Sequence, residues 1–158
     1  MKNTFKRSGA ALISLVLLLV LAVSAGAASS QNVGVKFWKE RSDKESMANS
    51  GIDPDRTATL TRQANGTYTL TLPVMQVSKL GVTGYLSGLT IGDVTYDGTL
   101  TGDFNKATAV LTIKNLPASV LTGSDVNRSV LVTCNIQMDL QVLGEINTSA
   151  RMCIWNHK

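Results

Sequence analysis

Alternation of apolar and polar residues with a period of two is the strongest constraint that this sequence places on its fold. It is clearest near the C-terminus, where apolar side chains occupy every second position over residues 130–142 and mostly polar ones stand between them. Successive side chains of a β-strand point to opposite faces, so this run predicts a strand with one buried and one wet face. No window shows a sustained helical stripe, and the pattern therefore predicts an all-β domain.

Turn residues divide the rest of the chain into short strands. Asn65-Gly66 stands between two strand-like runs, residues 57–63 and 68–77, and predicts a tight hairpin. Further turns are predicted at Asp97-Gly98 and Gly102-Asp103. Strands separated by turns every 8 to 12 residues or so are typical of an immunoglobulin-like β-sandwich. We therefore predict a sandwich of about seven or eight antiparallel strands.

The N-terminus has the composition of a secretory signal peptide. Basic residues precede an apolar run over residues 10–23, and the small residues Ala25-Gly26-Ala27 follow it. This A-x-A pattern predicts cleavage after Ala27, which leaves one domain over residues 28–158 that is secreted or held at the cell surface. The run is shorter than the roughly 20 residues of a membrane span, so no span is predicted after cleavage. An uncleaved N-terminal anchor is the alternative.

Charge and motif content argue against nucleic-acid binding and catalysis. The chain has 15 basic and 11 acidic residues, and three of the basic ones lie in the leader, so 12 against 11 leaves the mature part at +1. No basic stripe of the kind that binds phosphates remains. The only histidine is His157 near the C-terminus, and no G-x-S-x-G motif occurs. Turn chemistry explains the acidic residues, so no enzyme is predicted.

Cys134 and Cys153 are the only cysteines, and both lie in the exported part. Facing residue numbers in an antiparallel hairpin sum to a constant, so these two face each other if the turn is centred between Leu143 and Gly144. Facing Cβ atoms, about 4.5 to 5.5 Å apart, are close to disulfide geometry, and export allows the bond. The alternative is two small buried side chains, which lie on opposite faces if the turn differs by one residue.

Four motifs occur in an order that matches a known family. They are Val35-Lys36-Phe37-Trp38-Lys39, Asp43-Lys44-Glu45-Ser46-Met47-Ala48-Asn49, Gly81-Val82-Thr83-Gly84-Tyr85-Leu86 and Trp155. Together, over residues 32–155, they resemble the NEAT (near-iron-transporter) domain. The resemblance implies an immunoglobulin-like sandwich on the surface of Gram-positive bacteria. Members of that family bind haem, haemoproteins or both during iron acquisition.

The resemblance also implies where haem would bind. In the family, haem lies between a short helical turn, here residues 45–49, and the final hairpin, here residues 127–155. The usual iron ligand is the first tyrosine of a Tyr-x-x-x-Tyr motif on the last strand, whereas this chain has no tyrosine after Tyr96. A methionine thioether also coordinates haem iron. Met47 and Met152 are therefore the predicted iron ligands.

Side chains next to Met47 are predicted to complete the site. Ser46 and Lys44 would contact the haem propionates, since hydroxyl and cationic groups bind carboxylates. Packing is the alternative for both methionines, with Met152 as core filler and Met47 as a plug between loop and sandwich. Two functions stay open. One is a haem- or haemoprotein-binding module that also contacts another cell-surface protein, and the other is a non-catalytic surface interaction module that does not bind haem.

Overall fold

The structure, a computed structural model, describes residues 28–79, 81–139 and 144–157. The predicted signal peptide and its cleavage site lie outside this part of the chain. The described residues form nine strands: β1 (Ser29–Lys39), β2 (Ala58–Arg62), β3 (Tyr68–Pro73), β4 (Val77–Lys79), β5 (Val82–Ile91), β6 (Val94–Thr101), β7 (Val110–Leu116), β8 (Val130–Met138) and β9 (Glu145–Asn156). Their 3-10 helices are Met47–Gly51, Phe104–Lys106, Ala118–Val120 and Val126–Arg128. None of the helices in these ranges is long and apolar enough to cross a membrane.

Eight of the nine strands close into one antiparallel ring. Neighbouring strands follow the order β5-β6-β7-β3-β2-β1-β9-β8, and β8 pairs back to β5. The three-residue β4 adds to β5 beside the ring. The predicted all-β antiparallel class is confirmed. The strand count exceeds the prediction because the predicted run over residues 68–77 divides into β3, which ends at Pro73, and the separate strand β4.

Two predicted turns have opposite outcomes. The Asn65-Gly66 hairpin is confirmed, since β2 and β3 pair up to Arg62 and Tyr68, and Gly66 has a φ of 82° that glycine adopts without steric cost. The turn predicted at Asp97-Gly98 is wrong, because both residues lie inside β6. Gly98 has a packing role there, since a Cβ at this position would collide with Leu111 of β7. A glycine in a strand marks such a close approach as often as a turn.

The hydrophobic core lies inside the ring. Its largest fully buried side chains come from six of the strands and include Phe37, Leu60, Leu70, Leu89, Leu111, Ile113, Met152 and Ile154. Phe37 faces the core and Trp38 does not, as alternation along β1 requires. Met152 belongs to this core and is 0% exposed.

The final hairpin is antiparallel as predicted, but its register differs. β8 and β9 pair Val130 with Met152 and Cys134 with Thr148, five residues before Cys153. Five is an odd number, so Cys134 and Cys153 lie on opposite faces, and the predicted facing pair is wrong. Both thiols are free and buried, which is the alternative arrangement. Alternation alone does not determine register, because it fixes the face of each side chain within a strand but not which residue of the partner strand lies opposite.

We expect the core and the outer surface of the ring to respond differently to the same truncation. Leu111 is 0% exposed, whereas Leu131 is 57% exposed. Leu111→Ala should lower the free energy of unfolding by about 2 to 5 kcal/mol, and Leu131→Ala by less than about 0.5 kcal/mol. Guanidinium unfolding followed by circular dichroism measures both. Equal losses would contradict the assignment of the core to the interior of the ring.

Candidate functional site

A cavity of about 300 Å³ opens between the 3-10 helix Met47–Gly51 and strands β5, β8 and β9. The helix contributes Met47 and Ala48 to the wall, and the hairpin contributes Ile136, Met138, Ile146 and Thr148. Among the described residues that line the cavity, only Tyr85 and Thr148 have polar side chains, and none carries a charge. The cavity is therefore apolar, and its side chains can form few hydrogen bonds with a ligand.

Strand pairing explains why these residues share a wall. β5 pairs with β8 so that Gly84 faces Met138 and Leu86 faces Ile136. On the other side of β8, Ile146 of β9 faces Ile136. Residues that face one another across strands lie on the same side of a sheet. Further along these two strands, the same face carries residues of the hydrophobic core. The cavity therefore continues the core at one end of the ring, where the 3-10 helix covers it only in part.

Asn49 fastens the 3-10 helix to the sheet. Its side-chain Oδ1 accepts a hydrogen bond from Phe37 N at 2.8 Å, and its Nδ2 donates to Phe37 O at 2.7 Å. One amide thus satisfies both backbone groups of a β1 residue. At the end of the helix, Met75 N donates to Gly51 O at 2.9 Å. The sequence contained Asn49 in the Ser46-Met47-Ala48-Asn49 motif, but nothing in it indicated this role.

Large apolar side chains lie exposed on both sides of the cavity mouth. Met47 on the helix is 57% exposed, and Ile146 on the hairpin is 43% exposed. Leaving such side chains in water forgoes roughly 25 cal/mol for each Å² of apolar surface that could be buried. Exposed apolar groups that adjoin a concave site mark ligand-binding grooves or interaction surfaces. The mouth is thus suited to a ligand or partner with apolar surface.

The structure brings one of the four predicted haem contacts to this cavity. Met47 lines it, but Ser46 does not, because the Ser46 hydroxyl caps the helix by accepting a hydrogen bond from Ala48 N at 3.3 Å. Lys44 is exposed in a loop whose turn is closed by a 2.8 Å bond from Lys39 N to Lys44 O, and it is not part of the wall. The propionate contacts predicted for Ser46 and Lys44 stay predictions.

Met152 is a core side chain in this fold. It is completely buried and is not among the residues that line the cavity, so the structure does not bring it to the site with Met47. Met138, at the end of β8, occupies the wall instead. Gly84 opposite it leaves room for the thioether, since a Cβ on Gly84 would lie 2.7 Å from Met138 Sδ. Alternation placed Met138 on the apolar face, but it could not show which end of that face is uncovered.

The loop before the helix uses its charges for contacts of its own. Arg151 Nη2 lies 2.7 Å from Asp43 Oδ1 and donates to Ser42 O at 3.0 Å. Lys36 Nζ pairs with Glu45 Oε1 at 2.5 Å and lies 4.7 Å from the centroid of a ring of Trp38. These pairs connect the loop to β1 and β9. They position the helix and do not place a charge in the cavity.

The two cysteines are chemically separate from this site. Burial raises the pKa of the Cys134 thiol to about 12, because desolvation disfavours the thiolate. Cys153 Sγ lies 3.5 Å from Asp125 O on the opposite face of the hairpin. No group of three or more His, Cys, Asp or Glu that could hold a metal ion occurs within the described ranges.

Two solved structures share the fold. One is the NEAT5 domain of IsdX2, a B. anthracis hemophore, in complex with haem, and the other is a point mutant of that domain in complex with haem. Each is 11% identical to this chain with a TM-score of 0.53, and the match covers 84% of this chain and 99% and 98% of theirs. No protein-family model and no curated protein matches the sequence. The fold of the chain is NEAT-like, as the resemblance predicted.

We expect both thiols to be free and protected in the folded protein. A thiol-specific reagent at about pH 8 should leave Cys134 unmodified, because its pKa near 12 keeps the reactive thiolate scarce. Its reactivity should rise only as the pH approaches that pKa. In concentrated guanidinium chloride, intact-mass analysis should find two modified cysteines. A mass two hydrogens lighter with no modification after unfolding would establish a disulfide instead.

Proposed function

We propose that this NEAT-like domain binds haem, as cargo, in the cavity between the 3-10 helix and the β8–β9 hairpin. The supporting observation is the cavity itself, which has apolar walls and two exposed apolar side chains at its mouth. Its volume of about 300 Å³ lies at the small end of ligand sites, so a macrocycle would extend into the mouth, against Met47 and Ile146. The two solved structures with this fold both contain haem.

The residues present fit haem through packing and through two soft donors. A porphyrin is flat and largely apolar, and the walls that Ala48, Leu86 and Ile136 help to form suit it. Met47 comes from the helix side and Met138 from the hairpin side, and each offers a thioether to iron. Met138 thus takes the role first predicted for Met152. Tyr85 also borders the cavity, but its ring packs on Phe104, with centroids 5.2 Å apart.

The proposed role is a non-catalytic haem- or haemoprotein-binding module in iron acquisition. The proposed location is outside the cell, either secreted or at the cell surface, after removal of residues 1–27. The second function, an interaction module without haem, is favoured by one observation. The hairpin that would supply the iron ligand carries no tyrosine from Val130 to Met138 or from Glu145 to Asn156.

Haemin titration followed at the Soret band tests the proposal. Binding should saturate at one haem per chain. Met47→Ala and Met138→Ala should each shift the Soret band and weaken binding by about tenfold or more, or about 1.4 kcal/mol. Because a thioether is neutral and soft, it favours ferrous over ferric iron, so reduction should tighten binding.

Met152→Leu is the matched control for this experiment. It changes a methionine of the core while conserving volume, and we expect the Soret band and the affinity to stay as in the unmodified protein. Absence of a Soret shift in both oxidation states would reject haem binding and leave the interaction module. Binding that is intact in both alanine variants would reject the two ligands and keep the function.

Export has its own test. We expect protein recovered from the medium or cell wall of a Gram-positive host to begin at Ala28, because the small residues before it fit signal peptidase. Mass spectrometry of the intact protein measures the N-terminus. Protein that retains residues 1–27 and fractionates with membranes would support the uncleaved anchor.

A further inference from the structure

We propose that a second cavity of this protein binds a ligand through a primary carboxamide group. The cavity has a volume of about 200 Å³ and lies between residues 33–35 of β1, the loop over residues 52–57 and the end of β9. We call it the β1 slot. None of the described residues that line it also lines the cavity proposed for haem. The inference therefore goes beyond haem binding and does not depend on it.

The β1 slot occupies a break in the hydrogen bonding along one edge of β1. Alternate residues of a strand direct their backbone N–H and C=O groups to the same edge, so Val33, Val35 and Phe37 share one edge. β2 pairs with this edge as far as Val33, and the Asn49 side chain bonds to it at Phe37. Within the described residues, no hydrogen bond joins Val35 to the loop over residues 52–57. Val35 therefore offers one backbone donor and one backbone acceptor to the slot.

A primary carboxamide satisfies both of these groups at once. Val35 N–H requires an acceptor, which excludes an ammonium or a guanidinium, and Val35 C=O requires a donor, which excludes a carboxylate. A primary carboxamide carries its oxygen and one N–H on the same side. The Asn49 side chain is a precedent, since it accepts from Phe37 N at 2.8 Å and donates to Phe37 O at 2.7 Å. A trans secondary amide has its N–H opposite its oxygen, so it cannot pair in this way.

The rest of the lining suits an uncharged ligand with an apolar part. Val33, Ile52 and Leu72 are among the lining residues, and Trp155 borders the slot at the end of β9. A Cβ on Gly34 would collide with the Trp155 indole, so the glycine lets this ring lie against the backbone of β1. A flat ring that carries the carboxamide would pack against the indole. Apolar and aromatic walls with a few polar groups are typical of small-molecule sites.

Asp53 places a buried negative charge beside the slot. It is 6% exposed, and its Oδ1 accepts from Asp55 N at 3.0 Å, a turn bond that an asparagine would also form. Arg56 Nη1 lies 3.8 Å from Asp53 Oδ2, too far for a hydrogen bond, and donates instead to Ala107 O and Ala109 O at 3.0 Å. The turn does not need the charge. A negative charge here disfavours an anion in the slot, which favours a carboxamide over the corresponding acid.

The experiment is an NMR titration of the isotope-labelled, haem-free protein with nicotinamide, a flat ring that carries a primary carboxamide. We expect the Val35 amide signal to shift in a saturable way and the Trp155 fluorescence to change with it. Nicotinamide methylated on its amide nitrogen, which loses the N–H beside the oxygen, should bind at least about tenfold more weakly, and so should nicotinate. Without ligand, the Val35 N–H should exchange with solvent faster than that of Val33 or Phe37.

Variants and a second ligand pair complete the test. Asp53→Asn keeps the turn acceptor and the volume but removes the charge, so the preference for nicotinamide over nicotinate should fall by about tenfold. Trp155→Phe should remove the fluorescence change, whereas Trp38→Phe, at a tryptophan outside the slot lining, should retain it. A peptide that contains glutamine is compared with the same peptide containing glutamate. Tighter binding of the glutamine peptide than of nicotinamide would identify a partner's side chain as the source of the carboxamide, and weaker binding a small molecule.

Three results would overturn the proposal. They are a Val35 signal that does not respond to nicotinamide, equal affinity for nicotinamide and its methylated derivative, and an unchanged preference over nicotinate in Asp53→Asn. The first two results need no variant, so they test the slot even if a substitution disturbs folding. Nicotinamide binding in a protein that gives no Soret shift with haemin keeps this inference and loses the proposed function. The opposite pair of results does the reverse.

Discussion

Hydrogen bonding between β5 and β8 joins the two strands that stand at opposite ends of the strand order. Both the core and the cavity depend on this pairing. The pairing runs from Gly84 and Met138 to Thr90 and Thr133. It closes eight strands into a ring, so among the described strands no long edge of the ring is left open to other chains. The same pairing brings Gly84 under the Met138 thioether, which makes one wall of the cavity.

The 3-10 helix completes the site but leaves apolar side chains exposed, which lowers the free energy of unfolding. Asn49 ties the helix to Phe37, whose side chain is buried in the core, so the helix position is coupled to the interior of the ring. Yet the helix covers the apolar face of the hairpin only in part, and Met47 and Ile146 stay in contact with water. A domain selected for stability alone would bury this surface. Its exposure is the physical basis for assigning a binding role to this end of the ring.

The chemistry of the cavity restricts what it can hold. Its described lining has no charged side chain, two hydroxyls and two thioethers. The walls therefore cannot bind a ligand through ion pairs. The charged residues nearby, among them Lys36, Glu45 and Arg151, pair with one another or with backbone groups outside the wall. Apolar area is therefore the main property by which these walls could recognise a ligand.

The sequence by itself determined the antiparallel all-β class, the β2–β3 hairpin and the alternation of faces along each strand, because strand periodicity and the Asn65-Gly66 turn are local properties. Only the tertiary structure decided the register of the last hairpin and how much of that hairpin the 3-10 helix covers. A shift of an odd number of residues separated Cys134 from Cys153, and partial cover by the helix left Met138 on the cavity wall while Met152 was buried. Register and cover arise from contacts between segments far apart in the chain, which a local pattern does not encode.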